Sequence, residues 1–65
     1  MKAIGAYIIN DHHSILIYRK TEAKVLVRRV YNQDFDVEMW CDMTEDRTGF
    51  YIGSLLIPFT AVKKI

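Results

Sequence analysis

Hydrophobic and polar positions fall in short alternating blocks along this chain. Apolar, β-branched and aromatic segments are separated by polar clusters at Asn10–Ser14, Thr21–Glu22, Asn32–Asp34 and Thr44–Gly49. Short runs bounded by turn residues are the sequence sign of an all-β meander or small barrel. Ala3 to Ile9 and Ile15 to Lys20 predict a hairpin closed by the loop Asn10–Ser14. The clearest alternation puts Phe35, Val37, Met39, Cys41 and Met43 on one side, with Asp36, Glu38, Trp40 and Asp42 on the other. That pattern predicts a half-buried strand with the sole tryptophan on its wet face. Phe50 to Ile57 predicts a further strand, with Gly53 as a bulge or close-approach point. Pro58 cannot donate to a ladder, so the strand ends or becomes an edge there, and Ala61 to Ile65 is the place for a short last strand.

The segment Ala23 to Tyr31 has two readings. As a strand it aligns Val25, Val27 and Tyr31, interrupted by Arg29; as a helix it aligns Ala23, Leu26, Val27, Val30 and Tyr31. Its valines prefer a pleated surface, and Thr21 is followed three residues later by Lys24 rather than the carboxylate of a capping box. The strand is therefore expected. The fold class is all-β, a single small bent sheet or SH3-like barrel of roughly five or six strands. The alternative is α+β with a helix over 22–31. Alternation assigns the core to Ile4, Ala6, Ile8, Ile15, Ile17, Val25, Val27, Val37, Met39, Cys41, Ile52, Leu55, Ile57 and Val62.

Trp40, then a polar turn closed by Thr48-Gly49-Phe50, then Ile57-Pro58-Phe59-Thr60-Ala61-Val62, resembles the closing half of SH3-like barrels. An extra Tyr51–Leu56 stretch lengthens the spacing. The acidic-aromatic opening motif of eukaryotic peptide-binding members is absent. The resemblance therefore implies a barrel shape and says nothing about proline-peptide recognition.

Composition narrows the class. Sixty-five residues are enough for one domain, 1–65, and 51% hydrophobic content with a net charge of +1 excludes disorder. No apolar run is long enough to cross a membrane, and Met1-Lys2-Ala3-Ile4 opens no cleavage-site pattern. Cys41 is the sole cysteine, which excludes an internal disulfide and points to a reducing, cytoplasmic setting; an intermolecular disulfide is the alternative.

Chemistry-bearing residues are sparse. His12 and His13 are adjacent, so on a strand they point to opposite faces and chelate one ion poorly. Cys41 alternates with core residues, unlike an activated thiol. Asp34, Asp36, Glu38 and Asp42 lack the glycine-permitted curvature of a calcium loop, and the three glycines form no phosphate cradle. The expectation is a chain that is not an enzyme, with no metal, cofactor or small-molecule substrate.

Charge is the informative pattern. From Lys2 to Arg29 six basic residues face two acids; from Val30 to Asp46 there are six acids and no Lys or Arg; Arg47, Lys63 and Lys64 follow. Antiparallel pairing of 24–31 with 35–43 would place Arg29 opposite Glu38 and Val30 opposite Val37. If the terminal strands meet, Lys63 and Lys64 approach Lys2, and Arg19, Lys20 and Lys24 extend that patch. Segregated basic and acidic surfaces suit a non-catalytic protein-interaction module, including a self-associating one. Its contact residues would be Trp40, Tyr51, Asp36, Glu38 and Asp42. The alternative is a small nucleic-acid-binding β-barrel using Arg19, Lys20, Lys24, Lys63 and Lys64 with Tyr18 as a stacking platform.

Overall fold

A computed structural model describes residues 2–65 and shows an antiparallel, almost entirely β structure. The strands are β1 (Gly5–Asn10), β2 (His13–Lys20), β3 (Lys24–Tyr31), β4 (Asp34–Phe35), β5 (Met39–Asp42), β6 (Gly49–Ile52), β7 (Leu55–Pro58) and β8 (Lys63–Lys64). A single 3-10 turn, Phe59–Ala61, follows Pro58. Residues 24–31 are a strand throughout, so the helical alternative falls. The long loop-free pairing with β2 satisfies this backbone, and Val25, Leu26 and Val27 are all buried, which suits a strand covered on both faces.

Strand β3 organises the sheet. β2 runs along one edge, while β5 and β4 share the other, and the path continues through β1 to β8. The terminal segments meet, the condition on which the expected basic patch depended, with Gly5 opposite Lys64 and Ala6 opposite Lys63. β6 and β7 form a separate hairpin, joined to β5 through the Met43–Phe50 bridge. Among the described residues β7 pairs with β6 alone and β8 with β1 alone, so the sheet bends without closing its ladder. Of the two expected forms, this is the bent sheet.

The expected strand Phe50–Ile57 is a hairpin instead. Gly53 (φ 60°) opens a two-residue turn with Ser54, and Ile52 pairs with Leu55. Gly-Ser between apolar runs is a primed-turn dipeptide, because only glycine takes the left-handed first position at no steric cost. The extra Tyr51–Leu56 stretch is thus the turn end of an added hairpin. It packs tightly: a Cβ on Gly49 would lie 2.6 Å from the Ile57 carbonyl oxygen.

The core lies between the concave sheet and this hairpin. Ile15, Ile17, Val25, Val27 and Cys41 meet Phe50, Ile52 and Ile57, with Tyr7, Ile9, Met39, Met43, Phe59 and Val62 packed around them. Phe50, fully buried, is the largest of these and was missing from the alternation-based core, as were Leu26 and Tyr18. Ile4, Ile8, Val37 and Leu55 were expected inside and are exposed, while Ala6 is only half-buried. In β1 no charged or amide side chain interrupts Gly5 to Ile9, so alternation could not choose a face. The pairing Tyr7–Ile15 and Gly5–Ile17 chooses the odd positions.

Register accounts for Phe35 and Val37. Asn32 (φ 50°) and Gln33 (φ 70°) form the left-handed pair a type I′ turn needs, closed by Tyr31 opposite Asp34. Val30 then faces Phe35, but further along Val27 faces Met39, which requires one extra residue in between. The ladder breaks at 36–38, and Val37, the most exposed of the large apolar residues at 72%, is where the chain slips. A one-residue slip exchanges the faces of a strand. Phe35 consequently faces away from the core while Met39 faces it, and the expected Arg29–Glu38 and Val30–Val37 partners do not form.

The loop between β5 and β6 is built on Asp46. Its Oδ1 accepts from the hydroxyls of Thr48 (2.7 Å) and Thr44 (2.8 Å) and from the Thr48 amide (3.2 Å). These bonds, led by the Thr48 hydroxyl, hold the carboxyl below its usual value.

Three outcomes are expected. Gln33→Gly relieves a left-handed side chain and raises stability by about 0.5–1 kcal/mol in chemical denaturation, whereas Gly49→Ala lowers it. Asp46 is depressed in the folded state, so its contribution is complete at pH above the unfolded value and is lost as pH falls through the lower folded value. Thermal melts across the acidic range should show Asp46→Asn removing part of the wild-type acid destabilisation.

Candidate interaction surface

The even-numbered positions of β3 face outward, and cross-strand pairing carries that face over the sheet. Leu16 lies opposite Arg28, Leu26 opposite Trp40, and Val30 opposite both Ser14 and Phe35. This face is apolar at its centre, although it points away from the core. Trp40 is 46% exposed and Phe35 61% exposed, while Leu26 beneath them is buried.

Arg28 sits in the middle. Its guanidinium carbon is 5.7 Å from the centre of the Tyr18 ring and 5.9 Å from that of Phe35, and Nη2 donates to Glu38 Oε1 at 2.9 Å. Both aromatic distances lie within cation–π range. The Nε–H is buried without a hydrogen-bond partner, a cost set against the two rings and the carboxylate. Lys24 Nζ reaches Asp42 Oδ1 at 3.1 Å. Both pairs are substantially exposed, so each contributes about 0.2–1 kcal/mol, enough to favour one register.

Of the residues expected at a protein contact, Glu38, Trp40 and Asp42 share this outward face. One step from the Met43–Phe50 bridge, alternation turns Asp42 and Tyr51 to the same side, and Tyr51 faces the exposed Leu56. Asp36 does not join them. It lies in the break between β4 and β5, where its Oδ1 accepts from the Val37 amide and its own amide donates to the Arg29 carbonyl.

The expected basic patch separates. Lys24 is held by Asp42, Arg19 lies opposite Leu26, and Lys63 and Lys64 alternate on β8. Lys20 and Lys64 do converge, at a hollow beside Phe59, with Lys20 Nζ 4.5 Å from the Phe59 ring centre. Tyr18 is buried beside Arg28 and so offers no open face for a base. It occupies the irregularity between Ile17 and Arg19, a bulge that alternation along β2 could not reveal.

His12 is exposed in the β1–β2 turn, and His13 Nε2 accepts from Arg29 Nε at 3.2 Å. Among the described residues no group of three His, Cys, Asp or Glu side chains is placed to hold a metal ion. Cys41 faces the core opposite Val25; burial first, then the Asp42 charge, pushes its thiol up, against Arg29 and Lys24. Arg28, Leu26 and Phe35 are the members of the surface that the sequence did not single out. Their roles depend on register across strands, for which a single strand carries no signal.

No family model, curated protein or solved structure matches this chain.

The buried, raised Cys41 thiol should resist alkylation. Iodoacetamide labelling of the native protein at neutral pH is expected to be at least about tenfold slower than in denaturant; equal rates would place the thiol at the surface.

Proposed function

We propose that this protein is a non-catalytic protein-interaction module that docks a partner on the outward sheet face around Trp40. The observation that carries the reading is the apolar centre of that face, with Trp40 and Phe35 exposed beside Arg28. Tryptophan and arginine are the side chains most enriched at interface hot spots, and contiguous exposed apolar patches on small domains mark contact sites. Glu38 and Asp42 form a charged rim, and Tyr51 with Leu56 extends the surface onto the hairpin. The lone free thiol supports a reducing, cytoplasmic setting for it.

The competing nucleic-acid reading loses Tyr18 as a platform and Lys24 to an ion pair. Anisotropy of a labelled oligonucleotide at low ionic strength is its test; tight binding that falls steeply with salt would replace the proposal.

A photo-reactive phenylalanine analogue at position 40 should yield discrete protein adducts in the cells that make this protein. The same residue at position 22, in the exposed β2–β3 turn, should not. Trp40→Asp should abolish competition by the unlabelled protein. Adducts absent at position 40, or identical from both positions, would overturn the reading.

A further inference from the structure

A half-open hollow of about 140 Å³ lies beside the core, where Gly5 and Ile17 meet the 3-10 turn and β8. Ile4, Ile17, Phe59 and Val62 wall it, and among the described residues its charged neighbours are Lys20 and Lys64. Apart from those two ammonium groups, no lining side chain carries a polar atom. Gly5 keeps the space free: a Cβ at this position would lie 2.8 Å from Val62 Cγ1.

Register brings both lysines to this spot. Lys64 lies opposite Gly5 and Gly5 opposite Ile17, so the row shares the face that Ile17 turns to the core. Lys20 would point away from that face if β2 alternated without a break. The bulge at Tyr18 shifts the alternation and sets Lys20 opposite buried Val25, on the core side. There its Nζ rests 4.5 Å from the centre of the Phe59 ring. The ion pairs among the described residues are Lys24–Asp42 and Arg28–Glu38, and neither involves Lys20 or Lys64.

Size and charge together define what fits. A cavity of about 150 Å³ accepts benzene in a protein engineered to hold one, so this hollow suits a single aromatic ring. Its apolar walls offer no partner to a polar ring substituent, which would be desolvated at a cost. Two cations at the rim repel an ammonium and attract an anion. A carboxylate on the ring meets both conditions, since it leaves the ring to the walls and accepts charge-assisted hydrogen bonds at the rim.

We propose that this hollow binds a small aromatic monocarboxylate, its ring against Ile17 and Phe59 and its carboxylate between Lys20 and Lys64. The site opens on the core side of the sheet and Trp40 on the other, so ligand binding here and partner docking there are independent. The lining comes from β1, β2, the 3-10 turn and β8, and no one of these segments carries a sign of it alone.

Benzoate titrated into isotope-labelled protein at neutral pH tests it by amide NMR. Signals of Gly5, Ile17, Lys20, Phe59, Val62 and Lys64 should shift together and saturate. For so few ligand atoms in a half-open site, Kd should be on the order of 1 mM. Benzyl alcohol, which keeps the ring without the charge, should bind about fivefold or more weakly. Acetate, the charge without the ring, should give no saturable shift at these amides. The surface variant Lys20→Gln/Lys64→Gln should keep the wild-type fold and bind benzoate no better than benzyl alcohol. Benzoate shifts that fail to saturate, or that centre on other residues such as Trp40, overturn the proposal. So does equal affinity for benzoate and benzyl alcohol in the wild type, or a preference for benzoate that the lysine variant retains.

Discussion

The register of the acidic segment against β3 is the constraint on which most of this molecule depends. A two-residue turn at Asn32–Gln33 starts the pairing, and one extra residue at the Asp36–Val37 break resets it before β5 begins. Because side chains alternate, that single residue decides which neighbours meet. It brings Glu38 to Arg28 and Asp42 to Lys24, puts Cys41 against Val25 in the core, and leaves Phe35 and Val37 outside. With the register of the Asn32–Gln33 turn continued unbroken, Met39 would join Phe35 on the outward face and Glu38 would turn inward, away from Arg28.

The packing is correspondingly two-sided. On the concave side, the β6–β7 hairpin supplies Phe50, Ile52 and Ile57 to a sheet whose own buried contribution is aliphatic apart from Cys41. Removing so large a fully buried ring as Phe50 typically costs about 3–5 kcal/mol, a large part of the stability of a domain this small. On the convex side Trp40 stays 46% exposed, and Arg28 fills the space between two rings. An arginine can do this because its flat, weakly hydrated guanidinium stacks on aromatic faces while still donating to a carboxylate.

The segregated charges are only partly paired in the folded structure. Within the sheet, basic β3 and acidic β5 are partly neutralised by Arg28–Glu38 and Lys24–Asp42, pairs too exposed to add much stability but well placed to disfavour a slipped register. Outside those pairs, the charges of β2, β8 and the β4 segment stay free at different places on the surface.

Much of the fold was legible in the residues alone. Short β-branched blocks separated by turn residues determine an all-β meander, and the alternation of Met39, Cys41 and Met43 with Trp40 and Asp42 determines the faces of β5, because each depends on neighbours along one strand. The hairpin at Gly53-Ser54 carried its own signal in that dipeptide, though the apolar run around it also reads as one strand. Other features required the tertiary structure. Which side of β1 turns inward, where Tyr18 bulges, and how Phe35 and Val37 come to face outward are set by partners on other strands. The same holds for the surface around Trp40: Arg28, Leu26 and Phe35 lie on separate segments and become neighbours only through hydrogen-bond register. Local pattern fixes the period of a strand, but its phase against the next strand is a property of the folded sheet.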